Sequence, residues 1–376
     1  MSLSLPADHP HARSLTGVLP QLLSSLRGES DWFAPASSAI VFVVDGLGAR
    51  NLAVRAGHAR FLAAAMTKKD VARTVFPSTT AAALTSLLTG TWPGEHGIVG
   101  YRVRVPGTDS VPNQLKGWET DRLSPTTWQR AQPLFERESD AGRPTFVVSR
   151  AEYVGSGFTE ATLRGAQFAT ADDVGDRARI AADLANSNPG SLVYLYVPDL
   201  DGLGHKLGWE SDAWAAGLER VDSAARTLST ALAPGVGAIV TADHGMVDVP
   251  RHRHLLLSEG SELLDGVRLI GGEPRMLHLY AEDGAAERVA EVWRASESSR
   301  SWVITRDEAI AAGLFGPVVD IAVRDRIGNV LVAPRAAVAY YDDRLFDKAA
   351  QKMIGQHGSL TDEERTVPLV RLGAFA

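Results

Sequence analysis

Four apolar runs set the strongest limit on what this chain can fold into: "AIVFVVDGLG" (Ala39–Gly48), "PTFVVS" (Pro144–Ser149), "SLVYLYVPDLDG" (Ser191–Gly202) and "GAIVTADHG" (Gly237–Gly245). A strand with one wet face alternates apolar and polar residues, and these runs do not. Unbroken β-branched runs of this length suit strands covered on both faces, as in a parallel sheet. Between them lie stretches of helical period, "DDVGDRARIAADLANS" (Asp172–Ser187) and "DAWAAGLERVDSAARTLSTAL" (Asp212–Leu232). Strand and helix alternate, so the expected class is α/β with a mostly parallel central sheet.

Open sheets of this kind bind ligands beyond the carboxyl ends of their strands. Three of the runs end there in acidic residues, which makes Asp45, Asp201 and Asp243 candidates for one cleft. The chain has 376 residues and no cysteine, so a metal in such a cleft would sit on histidine and carboxylate rather than thiolate. A formal net charge of -7 leaves no electrostatic footprint for nucleic acid or an anionic membrane surface. No run approaches about 18 uninterrupted apolar residues, and the start "MSLSLPADHPHARSL" lacks the features of a signal peptide, so a cytoplasmic enzyme is expected. After residue 250 the texture changes to shorter strand and helix patterns. The expected division is therefore a main body of residues 1–249 plus 343–376, with residues 250–342 as a smaller inserted α+β cap.

Several motifs could carry chemistry in that cleft. In "TADHG", Asp243 and His244 stand together where a buried strand ends and Gly245 lets the chain turn, although Asp243 could equally cap a helix. In "VPDLDGLGHKLGW", Asp201 and His205 are spaced i, i+4 and would share a helix face, which suits chelation; an Asx turn with a self-packed histidine is the plain alternative. His357 in "IGQHGSL" lies between glycines that permit close approach. His252 and His254 in "RHRH" and His96 in "GEHG" are rival ligands that also read as loop and turn residues. Three aspartates and three histidines form a sulfur-free set suited to zinc or manganese. Divided between two ions, such a set serves phosphoryl transfer.

A nucleophile is sought in "FPSTTAAALTSLLTG", which carries six hydroxyls: Ser78, Thr79, Thr80, Thr85, Ser86 and Thr89. Residues 81–88 form a good helix window, with Ala81, Leu84, Leu87 and Leu88 on a shared face. A threonine at that helix start has free N–H groups nearby, which favour bound phosphate, though an ordinary N-cap fits too.

The ordered set "VDGLG", "FPSTTAAALTSLLTGTWPGEHGIVG", "DLDGLGH", "TADHGM" and "GQHG" resembles the alkaline phosphatase superfamily, in its nucleotide pyrophosphatase/phosphodiesterase branch. The resemblance implies an alkaline-phosphatase-like fold and two divalent ions, zinc first, with manganese or magnesium as alternatives. It places one ion on Asp201, His205 and His357, and the other on Asp45, Asp243, His244 and the oxygen of Thr80. The spacings to "TG" and to "HGI" both select Thr80 as nucleophile. The implied activity is phosphodiester or pyrophosphate hydrolysis through a phosphothreonine, with a small phosphate ester, such as a nucleotide, as partner. A phosphomonoesterase, phosphonate hydrolase or phosphotransferase is the alternative on the same site, and a non-catalytic metal-stabilised binding protein a remote one. The branch places an asparagine where this chain has Tyr101, so Tyr101, Arg102 and Asn113 are the candidates to hold a phosphate oxygen.

Overall fold

A computed structural model describes residues 5–9, 11–121 and 123–376 of the chain. Its main sheet has seven strands: β1 (Ser38–Val44), β2 (Val71–Arg73), β3 (Thr145–Ser149), β4 (Gln167–Thr170), β5 (Leu192–Val197), β6 (Val236–Thr241) and β11 (Thr366–Gly373). They lie in the order β2-β11-β6-β1-β5-β3-β4. The four apolar runs of the sequence supply β1, β3, β5 and β6. All neighbours from β6 to β4 run parallel, and only β11 is antiparallel to its neighbours β6 and β2.

Continuous runs became central strands because helices cover both faces, which leaves every residue of β1, β3 and β6 buried. Among the covering helices are α1 (Thr80–Thr89), α2 (Val174–Ser187), α3 (Asp199–Leu207) and α4 (Asp212–Ala231). α2 begins on the side chain of Asp173, which accepts from the N–H groups of Gly175 and Asp176; α4 begins on Ser211, which accepts from Trp214.

The middle of the chain builds a second sheet. Strands β7 (Val267–Glu273), β8 (Met276–Ala281), β9 (Ser301–Thr305) and β10 (Val330–Pro334) pair antiparallel in the order β9-β10-β8-β7. Helix α5 (Ala286–Glu297) buries Val289, Ala290 and Trp293 against this sheet, in a cluster that includes Leu277, Leu279 and Val332. Where the chain enters and leaves this region, His254–Leu257 pairs in parallel with Ala339–Asp342. The turn between β7 and β8 reaches back to the main body. The buried guanidinium of Arg275 there binds both carboxylate oxygens of Glu364, at 2.8 Å each. No helix among the described residues is long and apolar enough to cross a membrane.

Candidate active site

The ends of β1, β5 and β6 meet because these strands are adjacent, and each hands its acidic residue to the same space. Asp45 follows β1 directly, in a turn whose Gly46 has φ of +74°. A Cβ on Gly46 would stand 3.2 Å from the Cα and Cβ of Asp201, so the close approach of this turn to Asp201 depends on glycine. The Gly46 N–H donates to Asp243 Oδ1 at 3.1 Å, and the His244 N–H donates to the same oxygen at 3.0 Å. Asp201 and His205 stand one turn apart on α3, with His205 Nε2 at 3.3 Å from Asp201 Oδ1. His357, far away in sequence, brings its Nε2 to 3.3 Å from that of His205 and 3.8 Å from Asp201 Oδ1.

Each of the three histidines is oriented in the same way. Nδ1–H donates to a backbone carbonyl: Gly355 for His205 at 2.8 Å, Gly245 for His244 at 3.2 Å, and Ser78 for His357 at 3.0 Å. That bond fixes the tautomer and leaves the Nε2 lone pair facing the cluster, the arrangement in which imidazole serves as a metal ligand. His244 Nε2 lies 3.5 Å from Asp45 Oδ1 and 3.4 Å from Asp243 Oδ2, and the rings of His244 and His357 stack with centroids 3.6 Å apart.

Thr80 completes the cluster. It is the first residue of α1, and Thr79 is the N-cap. The first backbone bond of the helix runs from Ala83 N–H to Thr79 C=O, so the N–H groups of Thr80, Ala81 and Ala82 precede the helical ladder. The Thr80 hydroxyl is 3.0 Å from His244 Nε2 and donates to it. Four of the other five hydroxyls are engaged elsewhere: Ser78 donates to Ser359 C=O, Thr85 to Ala81 C=O, Thr89 to Thr85 C=O, and Ser86 bonds His96. The fifth, that of the N-cap Thr79, is buried beside Glu273.

The donor set fits divalent cations. Asp45 Oδ1, Asp201 Oδ1 and Asp243 Oδ2 are buried without a hydrogen-bond partner, and a buried carboxylate oxygen needs one. Burial, and then the charges of Asp243 and Asp201, push the Asp45 carboxyl well above the usual carboxylate range. Burial, and then His244 and His205, hold the His357 imidazole well below its ordinary value. Three carboxyl oxygens and three imidazole nitrogens thus converge on one buried space, a donor set that divalent cations would coordinate and neutralise. Two groups of mutually close ligand atoms emerge, Asp45 with Asp243 and His244, and Asp201 with His244 and His357. His205 adjoins the second through the contacts given above.

The rival histidines lie elsewhere. His254 Nε2 bonds Val249 C=O at 3.1 Å and its ring packs on Tyr341, His252 sits in an exposed 3-10 turn, and His96 is buried against Ser86. Of the three candidates for phosphate contact, Tyr101 lines the cleft that opens on Thr80. Arg102 and Asn113 are not among its lining residues. Arg102 Nε is turned to Val111 C=O, and Asn113 Oδ1 accepts from the N–H groups of Leu115 and Lys116 within its own turn.

Sequence reasoning missed two groups here. Tyr196, on β5, donates its phenol to Asp45 Oδ2, and Glu273, at the end of β7, lines the cleft from the second sheet. Burial raises the Glu273 carboxyl well above its ordinary value, and Glu273 Oε2 stands 3.8 Å from His357 Nδ1. The alternation within "LVYLYV" hints that Tyr196 and Tyr194 share a face, but nothing local pairs either with Asp45.

The family model for type I phosphodiesterase / nucleotide pyrophosphatase matches residues 39–360. The chain belongs to this family of phosphoester hydrolases. The matched span runs from the first residues of β1 past His357, so it covers every residue of the cluster. No curated protein sequence matches the chain. Solved structures share its fold, including murine ectonucleotide pyrophosphatase / phosphodiesterase 5, with a TM-score of 0.68 and 18% identity over 88% of this chain and 87% of that one. The human protein of the same name gives a TM-score of 0.68 and 18% identity, over 90% and 88%. Phosphonoacetate hydrolase from Sinorhizobium meliloti 1021, in complex with phosphonoformate, gives 0.64 and 19%, over 90% of each chain. The mostly parallel central sheet flanked by helices, expected from the sequence, is the fold they share.

Proposed function

We propose that the protein hydrolyses phosphodiesters or pyrophosphates through a phosphothreonine at Thr80, with two divalent ions held by the aspartate and histidine cluster. The observation that carries this reading is the position of the Thr80 hydroxyl, at a helix start and 3.0 Å from a histidine whose Nε2 also faces two buried carboxylates. Asp201, His205 and His357 would hold one ion, and Asp45, Asp243 and His244, with the threonine oxygen, the other. When bound, such ions lower the pKa of a coordinated hydroxyl and neutralise charge on the phosphoryl group. The ligand set suits zinc, and would also accept manganese or magnesium.

The chain's own groups define the remaining steps. The Thr80 oxygen loses its proton and attacks phosphorus, forming one P–O bond as the P–O bond to the departing alcohol or phosphate breaks and that leaving oxygen takes up a proton. The N–H groups at the start of α1 and the helix dipole favour the negative oxygens that this creates. Tyr101 faces the same cleft, where its phenol can donate to a phosphoryl oxygen. Water then cleaves the phosphothreonine and restores the hydroxyl.

A nucleotide substrate is supported by an inactive variant of the murine neighbour that was solved in complex with AMP. The phosphonoformate complex of the other neighbour supports phosphonate hydrolysis as the second reading. Diesters are favoured over monoesters because the cations lining the cleft, Lys116 and Arg150, are respectively exposed and tied to Asp199. The extra charge of a monoester would therefore lack a partner.

Rates on bis-p-nitrophenyl phosphate, p-nitrophenyl phosphate and a phosphonate ester, with each metal in turn, rank these readings. Thr80→Ala should abolish turnover while metal content, measured by emission spectroscopy, stays at the wild-type value. Full activity in that variant would falsify the nucleophile assignment.

A further inference from the structure

A second cavity, built by the smaller sheet and its connections, shares no lining residue with the cleft that holds Thr80. Its walls come from the turn between β8 and α5, the loop around Arg104, and the segments just after β9 and just before β10. It has a volume of about 300 Å³, at the lower end of the range for ligand sites, which suits a small molecule.

The polar groups that line it are largely unspent. The side chain of Arg306 is only 12% exposed, yet it makes a single ion pair, from Nη1 to Asp325 Oδ1 at 2.8 Å. Its Nε, which is buried, and its Nη2 have no partner among the described residues. These two atoms form the edge with which a guanidinium grips a carboxylate, and Arg275 spends the same edge on the two oxygens of Glu364. An exposed arginine can leave its donors to water, but one this far buried calls for an acceptor. Burial lowers the Arg306 guanidinium from its ordinary value, and the Asp325 that opposes this shift is itself largely exposed. Arg104 spends its Nε on Thr108 C=O and keeps both Nη groups free, while Asn329 accepts from the Ala281 N–H through Oδ1, which leaves its Nδ2 to donate. At the rim, Glu282 and Asp283 are exposed and form no ion pair among the described residues.

We infer that this cavity binds a small zwitterion, an amino carboxylate whose carboxylate lies on Arg306, Arg104 and Asn329 and whose ammonium faces Glu282 and Asp283. Two cations and three carboxylates line the space, so a bare anion would meet a wall of net negative charge and a bare cation would leave the Arg306 edge unfilled. A molecule that carries both signs satisfies both ends. Unpaired polar groups in so polar a cavity also disfavour an apolar occupant, which could bond none of them.

The test is saturation-transfer NMR titration of the zinc-loaded protein with glycine, β-alanine and γ-aminobutyrate, which set the two charges at increasing distance, and with butyrate and butylamine as single-charge controls. At least one zwitterion should bind saturably and about ten-fold or more tightly than either control, the worth of one added charge-assisted hydrogen bond. Arg306→Gln removes the fork, and Asn329→Asp keeps the acceptor for the Ala281 N–H but repels a carboxylate; each should weaken that zwitterion by about ten-fold or more. The double variant Glu282→Gln/Asp283→Asn should bring the zwitterion and butyrate to similar affinity. Should Arg306→Gln fail to fold, Arg104→Ala, at a partly exposed position, should weaken the zwitterion by about three- to five-fold. Absence of saturable binding by every zwitterion, or butyrate binding as tightly as the best of them, overturns the inference. So does binding that survives both Arg306→Gln and Asn329→Asp, which would place the zwitterion elsewhere on the protein.

Discussion

Arg275→Met should destabilise the protein strongly, because the bond it breaks is buried at both ends. Arg275 is 1% exposed and Glu364 is fully buried. The guanidinium spends its donors on the two Glu364 oxygens, on the carbonyls of Ala336 and Val338 at 2.8 and 2.9 Å, and on that of Pro334 at 3.1 Å. Removing one partner of such a pair leaves an uncompensated buried charge, a change that costs about 3–5 kcal/mol. The three carbonyls left without donors act in the same direction, although the terms do not simply add. A loss of about 4 kcal/mol is therefore expected, a large share of the roughly 5–15 kcal/mol that holds a folded domain. Urea unfolding followed by tryptophan fluorescence measures it. The double variant Arg275→Met/Glu364→Leu should recover much of the loss, since an apolar pair in a buried site is often as stable as the ion pair it replaces. Catalysis should suffer as well, at temperatures where the variant is folded. Glu364 accepts from the Ser359 N–H at 3.1 Å, and Ser359 C=O in turn receives the hydroxyl of Ser78, whose own carbonyl holds His357. A single variant costing under about 1 kcal/mol, or a double variant no better than the single, would refute this reasoning.

Three further outcomes are expected. Tyr196→Phe removes the phenol that donates to Asp45 Oδ2, and should weaken metal binding by about 10–100-fold, read by competition with a chelating dye. Chelation should abolish activity and lower thermal stability, and returning zinc at about 100 times its Kd should restore about 2.7 kcal/mol, visible as a concentration-dependent Tm. Tyr101→Phe should lower kcat by roughly 10²-fold with metal content unchanged, the scale for loss of one donor to a developing phosphoryl charge, and an unchanged kcat would remove Tyr101 from that role.

The elements that the sequence made legible are those whose signal is local. A strand covered on both faces must be apolar throughout, so "AIVFVV" and "GAIVT" announced β1 and β6 without reference to their neighbours. The i, i+4 spacing of Asp201 and His205 survived as one turn of α3, because helical spacing is a property of the segment itself. The start of α1 at Thr80 was likewise written in the alanine and leucine run that follows it. The strand ends and short motifs also offered Asp45, Asp243, His244 and His357 as candidates, resemblance to a family divided the set between two ions, and the structure brings these four side chains to the same place.

What only the tertiary structure decided depends on which strands become neighbours. Tyr196 meets Asp45 because β5 pairs with β1, in a register that sets Val197 beside Val44. Glu273 and Arg275 reach the site from a separate sheet, and Glu364 receives Arg275 from 89 residues away. Arg102 turns its Nε to Val111 C=O, and Asn113 accepts within its own turn while its side chain also meets the phenol of Tyr101, contacts that no sequence pattern announced. The cleft joins residues from α1, β3, β4 and β5, among them Leu84, Ser149, Phe168 and Tyr194, which no local pattern brings together. Burial and period are set within a segment, but strand order and the direction of a long side chain follow from packing the whole chain. The sequence by itself therefore determined which carboxyl groups and imidazoles stand near the strand ends, and the packing of the sheet decided what surrounds them.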